Sequence, residues 1–156
     1  MIAVVILNWN GVDMLRRYLP GVVSDCADEG EVIVADNGST DDSLHYLRTE
    51  HPYVRLVCFD QNLGFAGGYN AAFRRIEQET PGRYDYYLLL NSDVRTSPGW
   101  LTPMRTYMDA HPETAAAQPK IHAEWAHDSF EHAGAAGGFI DRYGYPFCRG
   151  RMINVL

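Results

Sequence analysis

Short apolar runs alternate along this chain with segments of helical periodicity, and three of the runs stop at a polar cluster. The first run, residues 2–7, is continuously apolar and rich in β-branched side chains, which is typical of a strand buried on both faces of a parallel sheet. Comparable runs cover residues 31–35, 54–59, 84–90 and 115–121. This alternation predicts an α/β fold: a Rossmann-like, mostly parallel sheet with helices on both faces.

Helical spacing fills the segments between these runs. Ser39 or Thr40 is expected to cap the second helix, because short hydroxyl side chains accept hydrogen bonds from the first turn. Pro98 suits the first turn of the fourth helix. The predicted helices cover about residues 14–23, 39–50, 69–79 and 98–110.

The length of the chain, 156 residues, is that of one ordinary domain. We expect a single domain over residues 1–156, with an α/β core over 1–121 and a loop and hairpin tail over 122–156. The chain ends on apolar Val155 and Leu156. This end predicts a cut inside a larger domain, and exposed apolar surface predicts a tendency to form homodimers or aggregates.

The charge balance limits the partners of the chain. It has 20 acidic and 13 basic side chains and a formal net charge of -7, which argues against a general nucleic-acid binder. Its 3 cysteines form neither a disulfide framework nor a CxxC zinc pattern, which predicts reduced thiols in a cytoplasmic protein. His122, His127 and His132 do not have the spacing of a usual zinc motif, and we expect scattered histidines.

Three polar clusters fall where predicted strands end, at residues 8–10, 36–40 and 91–93. In an open parallel sheet, ligands bind outside the carboxyl ends of the strands. An acidic residue at Asp36 suits the ribose or base of a nucleotide, and the alternative is an Asx-turn. The glycine-rich residues 62–68 suit a phosphate or sugar approaching the backbone, and an ordinary turn is at least as good an interpretation.

The residues Asn91, Ser92 and Asp93 directly follow an apolar strand. A carboxylate at Asp93 would stand at the floor of the crevice, where it could hold Mg²⁺ or Mn²⁺ beside phosphate oxygens. Such an ion would neutralise a departing diphosphate. The alternative interpretation is a turn in which Asp93 caps a helix or faces solvent.

Taken in order, these clusters resemble the motifs of family 2 glycosyltransferases with the GT-A fold, most of all the rhamnosyltransferase-like branch. Each motif alone is weak, but the ordered set covers almost the entire chain. The motifs are VVILNWNG (residues 4–11), VIVADNGSTDDS (32–43), NLGFAGGYNAA (62–72), YLLLNSDV (87–94) and a glycine-rich region (136–151).

This resemblance implies a role for each cluster. Asp36 and the turn after the first strand would bind the base and ribose. The glycine loop would shape the nucleotide-sugar pocket, and residues 91–93 match the family's metal-binding DxD position, with Asn91 in place of the first carboxylate. Asp93 is then the principal metal ligand. The implied nucleotide-sugar-binding residues are Leu7, Asn8, Asn10, Asp36, Asn62, Gly64, Gly67, Gly68, Asn70, Asn91 and Ser92.

The resemblance also implies a reaction. A sugar from a dTDP- or UDP-sugar would be transferred, with inversion and metal assistance, to a glycan or lipid-linked acceptor in polysaccharide or cell-wall biosynthesis. The protein would be cytoplasmic or peripheral at the inner face of the membrane. No general base is identified, because Asp128, Glu131 and Asp141 do not match the family's base motif.

Two other functions remain as alternatives. One is a non-catalytic module that binds nucleotide sugars or takes part in an assembly. The other is a nucleotidyltransferase on a related sheet, which ranks low because residues 8–11 do not form a GxGTR-like loop after the first strand.

Overall fold

The computed structural model describes residues 1–26, 29–130, 138–140, 142–144 and 146–148. Four strands and four helices alternate in the first part of the chain, followed by two short hairpins. The first eight elements are β1 (Ile2–Asn8), α1 (Val12–Cys26), β2 (Gly30–Asn37), α2 (Ser43–Glu50), β3 (Arg55–Phe59), α3 (Phe65–Glu79), β4 (Tyr86–Leu90) and α4 (Leu101–Ala110). The hairpin strands are β5 (His122–Ala123), β6 (Ala126–Phe130), β7 (Gly138–Ile140) and β8 (Pro146–Cys148).

The four long strands form one parallel sheet with the order β3-β2-β1-β4. In its registers, Asn8 lies opposite Asp36, and Ile6 lies opposite Leu90. The carboxyl ends of all four strands therefore meet at one edge, where the turns that follow them are neighbours. This arrangement confirms the predicted α/β fold with a parallel central sheet.

Helix α3 covers one face of the sheet. Because side chains alternate across a strand, Ala3 and Val5 point to the same face, and they belong to one buried cluster with Tyr69, Ala72 and Ile76 of α3. Ile33, Ala35 and Val57 extend this cluster across β2 and β3. The cluster holds α3 against the sheet, with its first turn at the carboxyl edge.

The opposite face is covered by α1. Val4 and Ile6 alternate with the residues of the first cluster and are also fully buried. Helix α1 packs against β2 and α2, and its buried residues recur at helical spacing. They are Leu15, Tyr18, Leu19, Val22 and Cys26.

Three helix starts differ from the sequence prediction. Helix α4 begins at Leu101 and does not include Pro98, because Gly99 between them has a left-handed backbone with φ of 74°. Neither Ser39 nor Thr40 caps α2, which begins at Ser43 and has no side-chain hydrogen bond at its N-cap residue, Asp42. Ser39 instead bonds to the turn after β1, so its hydroxyl is already occupied. Helix α3 begins at Phe65, so Gly67 and Gly68 are helical residues and not part of a loop.

The predicted fifth strand over residues 115–121 is wrong. These residues form no strand, and residues 115–120 are exposed. Small alanine side chains bury little apolar area, and Pro119 has no N–H to donate to a ladder. The short pairings that follow, β5 with β6 and β7 with β8, agree with the expected hairpin character of the tail.

The chain divides into two compact units, Met1–Thr102 and Pro103–Leu156. The first unit holds the parallel sheet, and the second holds both hairpins. The assignment of residues 1–156 to a single domain stays a prediction. In the part of the chain that the structure describes, no helix has both the length and the apolarity needed to cross a membrane.

Candidate functional site

Two buried polar side chains lie side by side where β1 and β2 end. The Asn8 Nδ2 donates to Asp36 Oδ2 at 3.0 Å and to Ser39 Oγ at 3.1 Å. The backbone N–H of Ser39 donates to the other carboxylate oxygen, Asp36 Oδ1, at 2.9 Å. Asn8 and Asp36 are 1% and 0% exposed, so this pair fixes the two turns from beneath.

The amide oxygen of Asn8 is buried and finds no donor among the described residues. It lies 2.6 Å from the point that a Cβ on Gly11 would occupy, so only glycine fits there without a shift. The Ser92 hydroxyl oxygen lies 3.9 Å from the same point. Gly11 is therefore required by Asn8 of its own turn, while Ser92 at van der Waals distance shows that the turn after β4 is a neighbour.

Asn10 joins the turn after β1 to the loop after β2. It has a left-handed backbone, with φ of 51°, which asparagine tolerates better than most residues. Its Oδ1 accepts from the Thr40 N–H at 2.7 Å and from the Asp41 N–H at 3.3 Å. The Asn10 N–H donates to Ser39 Oγ at 2.9 Å, so the contact runs in both directions.

Asp41 connects the first turns of two helices. Its carboxylate accepts from the Val12 N–H of α1 and from the Ser43 N–H of α2, each at 3.0 Å. Burial acts to raise the pKa of Asp41, but the hydrogen bonds from Ser43 and Val12 outweigh it, so the pKa lies below its usual range. The loop after β2 is therefore held at both sides.

Asn37 links the end of β2 to the glycine loop. Its Nδ2 donates to Asn62 Oδ1 at 2.9 Å and to the Gly64 carbonyl at 3.2 Å. Its Oδ1 accepts from the Leu63 N–H at 2.9 Å. A Cβ on Gly68 would lie 2.8 Å from a methyl carbon of Leu7 and 3.1 Å from Asn37 Nδ2, so α3 approaches the sheet closely at this glycine.

The remaining predicted site residues are exposed at the same edge of the sheet. Gly67 and Asn70 lie in the first turns of α3, and Asn91 and Asp93 follow β4. The turn after β4 lies beside the turn after β1, because β4 and β1 are paired up to Leu90. The three separated segments of the sequence prediction thus share one edge of the sheet.

The turn after β4 offers two side-chain oxygen donors to a divalent cation, the Asp93 carboxylate and the Asn91 amide. No group of three or more histidine, cysteine, aspartate or glutamate side chains gathers in the described part of the chain. Mg²⁺ usually binds one or two carboxylates together with substrate phosphates and water. The Asp93 carboxylate and the Asn91 amide oxygen fit that donor set, whereas a cage made by the protein alone does not fit.

Three residues that organise this edge were missed by sequence reasoning as site residues: Asn37, Ser39 and Asp41. Ser39 was expected only to cap a helix, and Asn37 and Asp41 were not among the predicted site residues. Their partners are 25 or more residues away, except for the local bonds of Ser39 and Asp41. The signal that could have found them is the density of Asn, Ser and Asp directly after a buried strand.

Two groups of predicted residues fall partly outside the described residues. Among the tail carboxylates, Asp128 lies in β6, while Glu131 and Asp141 are outside. His132 is also outside, whereas His122 and His127 lie in the hairpin strands β5 and β6.

A parallel sheet of this order, with helices on both faces and polar turns at one edge, defines a Rossmann-like α/β domain of the class that binds ligands at its carboxyl edge. The family model for glycosyl transferase family 2 matches residues 3–151. The chain belongs to glycosyl transferase family 2.

Two relatives match at low identity. An N-acetylglucosaminyl-diphospho-decaprenol L-rhamnosyltransferase of Mycobacterium tuberculosis is 25% identical over 126 residues, which are 78% of this chain and 41% of that protein. An uncharacterised glycosyltransferase of Nostoc is 32% identical over 75 residues, 46% of this chain and 23% of that protein. The chain therefore spans less than half the length of either relative.

Solved structures of glycosyltransferases share the GT-A fold with this chain. Staphylococcus aureus TarS, residues 1–349 in complex with UDP-GlcNAc, has a TM-score of 0.58 at 16% identity, covering 79% of this chain and 38% of that one. A mannosyltransferase of Pyrobaculum calidifontis in complex with GDP-Man and Mn²⁺ has a TM-score of 0.56 at 19% identity, covering 77% and 33%.

Proposed function

We propose that this chain is the donor-binding part of a glycosyltransferase, which moves a sugar from a nucleoside diphosphate to a glycan or lipid-linked acceptor. The observation that carries the proposal is the meeting of three turns at one sheet edge, where Asn8 bonds to Asp36, Asn37 bonds to Asn62, and Ser92 approaches Gly11. Membership of the family supplies the class of reaction.

The nucleotide would lie across the turns after β1 and β2. Leu7 and the exposed Asn10 would face the base and ribose, where Asn10 can discriminate between ligands by hydrogen bonding. Asn8 and Asp36 are buried and would act from beneath, by holding the two turns in place. The sugar side consists of Asn62, Gly64, Gly67, Gly68 and Asn70. A dTDP- or UDP-sugar is the proposed donor, because the name of one relative specifies rhamnosyl transfer and the TarS complex holds UDP-GlcNAc.

The diphosphate would lie beside the turn after β4. Asp93 would present its carboxylate and Asn91 its amide oxygen to Mg²⁺ or Mn²⁺, and Ser92 would stand between them. When bound, such an ion neutralises the charge that develops on a leaving diphosphate. The ion in the Pyrobaculum calidifontis complex supports this part of the proposal.

The transfer itself would invert the anomeric carbon. An acceptor hydroxyl forms the new bond to C1 from the face opposite the diphosphate, the bond from C1 to the diphosphate oxygen breaks, and the hydroxyl proton passes to a base. No residue of this chain is assigned as that base. The named acceptor of the mycobacterial relative is lipid-linked, which supports a lipid-linked acceptor.

Thermal unfolding with nucleotide diphosphates tests the proposal. UDP, dTDP and GDP are each added with and without Mn²⁺, and the preferred one at about 100 times its Kd should stabilise the fold by about 2.7 kcal/mol. For a chain of this size, that is a rise in Tm of about 5–10 °C. Asp93→Asn should remove the part that depends on Mn²⁺, while the exposed Asp13→Asn control should keep it.

Two results would contradict the proposed function. If none of the three diphosphates raises the Tm, with or without Mn²⁺, the chain is not a nucleotide-sugar-binding domain. If sugar nucleotides bind but no sugar is transferred to any glycan or lipid-linked acceptor, the non-catalytic module is the better description.

A further inference from the structure

The first residue of α3 is a phenylalanine that faces solvent at the carboxyl edge of the sheet. Phe65 is 66% exposed, although the rest of its helix buries an apolar face against the sheet. Its neighbour Gly64 has φ of 74°, which turns the chain sharply into the helix. Phe65 therefore contributes little to the core, and its ring remains available to a ligand.

The Phe65 ring nevertheless contacts a buried aromatic side chain. It packs edge-on against the ring of Tyr69, with centroids 5.1 Å apart and an interplanar angle of 71°. Tyr69 is only 3% exposed, and its hydroxyl donates to the Leu90 carbonyl at 3.0 Å. Leu90 directly precedes Asn91, so the ring is tied to the strand that leads into the proposed diphosphate side.

The residue that precedes Phe65 belongs to the glycine loop. The carbonyl of Gly64 accepts from Asn37 Nδ2, and Asn37 directly follows Asp36. Phe65 thus follows a residue that is bonded to the end of β2, and its ring contacts a residue that is bonded to the end of β4. A group attached to the far end of a bound diphosphate would leave the nucleotide turn in this region.

We propose that Phe65 is a stacking platform for the sugar ring of the donor, and so a residue that discriminates a nucleotide sugar from the bare nucleotide. This inference rests on the proposed function. One face of a pyranose carries mainly C–H bonds, whose partial positive charge suits the negative face of an aromatic ring. A 6-deoxyhexose adds an apolar methyl group, which gains further by leaving water.

Isothermal titration compares each nucleotide with its sugar-bearing form. Wild type, Phe65→Ala and Phe65→Tyr are titrated, in Mn²⁺, with dTDP and dTDP-rhamnose and with UDP and UDP-GlcNAc. Phe65→Ala should weaken the preferred sugar nucleotide about three- to tenfold and leave its diphosphate within about twofold, since one aromatic contact contributes that much. Phe65→Tyr keeps the aromatic face and should restore the affinity.

Controls separate this inference from its premise. Tyr107→Ala removes another exposed aromatic side chain, from α4, and should change neither affinity. If Phe65→Ala weakens diphosphate and sugar nucleotide equally, or weakens neither, the stacking role is wrong while the proposed function stands. If wild type binds none of the four probes, the proposed function fails and the stacking role fails with it.

Discussion

Single positions at the carboxyl edge are restricted by backbone geometry as much as by chemistry. Gly38 has φ of 76°, and a Cβ there would lie 2.6, 2.7 and 2.9 Å from the C, Cα and N atoms of Gln61. Those are backbone atoms that cannot rotate away. Because Gln61 precedes Asn62, Gly38 also sets how closely the glycine loop approaches the loop after β2.

Replacing Gly38 by alanine should therefore lower the free energy of unfolding by more than the strain of its positive φ alone. Gly82 is the matched control, since it has φ of 66° and no atom within 4 Å of an added Cβ. We expect Gly82→Ala to lower the free energy of unfolding by about 1–2 kcal/mol, and Gly38→Ala to cost about 1–3 kcal/mol more because of overpacking. Urea unfolding of the two variants measures the difference.

The Gly38 substitution should also disturb the proposed site. Movement of Gln61 shifts Asn62, so the preferred nucleotide diphosphate should bind less tightly to Gly38→Ala than to Gly82→Ala. Equal losses of stability in the two variants would show that the loop moves freely away from the new methyl group.

At the scale of elements, the loop after β2 connects the starts of two helices through one side chain. Asp41 accepts from the first turn of α1 and from the first turn of α2, which are separated in sequence by β2. A carboxylate at a helix start satisfies an N–H that has no partner within the helix, and its charge suits the positive end of the helix dipole. One side chain therefore orients both helices on that face.

Asp41→Ala should destabilise the fold by about 1–3 kcal/mol, because it leaves two helix-start N–H groups without their acceptor. Asp41→Asn keeps one acceptor oxygen and should lose less. Asp13 is the control, since it shares the charge effect at the start of α1 but is 88% exposed and contacts Arg16 at 3.6 Å, so Asp13→Ala should cost less than about 1 kcal/mol. Chemical unfolding at pH 7 measures the stability of all three variants. Equal effects of Asp41→Ala and Asp13→Ala would contradict the stabilising role of Asp41 at the two helix starts.

Most elements of the sheet could be predicted from the sequence, because continuous apolar runs and helical spacing are local signals. Helix starts were less predictable. Ser39 has the residue type of a cap, but its hydroxyl is taken by Asn8 and Asn10 from another turn, a contact that no local pattern contains. Residues 115–121 have an apolar run without a strand, because a strand exists only where another strand pairs with it.

In the candidate site, too, some features could be predicted from the sequence and others depend on contacts between distant segments. That the polar clusters would share one edge follows from the parallel order, which the alternation of elements already indicates. Which side chain bonds to which was not predictable, because Asn37 acts through Asn62 and Leu63, on a loop reached only after β3 and the turn that follows it. Burial of Asp36 beneath the turn is likewise a property of the assembled sheet.

At the scale of the whole molecule, the stability should depend on a buried histidine. His51 is 6% exposed and lies between the hydroxyls of Tyr46 and Tyr53, each at 2.9 Å from a ring nitrogen. Burial lowers its pKa, and the nearby Glu50 only partly opposes this. The folded protein therefore resists protonation of His51 more strongly than the unfolded chain does.

The sign of the pH dependence follows from that difference. Below the unfolded pKa of about 6.5 the unfolded chain takes up the proton first, so stability is constant above that pH and falls as the pH drops towards the lower folded value. Chemical unfolding at pH 7.5 and 5.5 should show the fall. His51→Gln should reduce this loss of stability, whereas substitution of the exposed His45 by Gln should not. If the loss is as large in His51→Gln as in the wild type, other groups cause it.

The common direction of the four strands has a consequence for how such a domain diversifies. Helices α1, α2 and α3 each return the chain to the opposite edge of the sheet, so the segments that follow Asn8, Asn37 and Leu90 lie outside the buried crossovers. Those segments can be exchanged between homologues while the packed interior keeps its sequence. Chimeric proteins made at these three junctions would then change substrate preference with one framework unchanged.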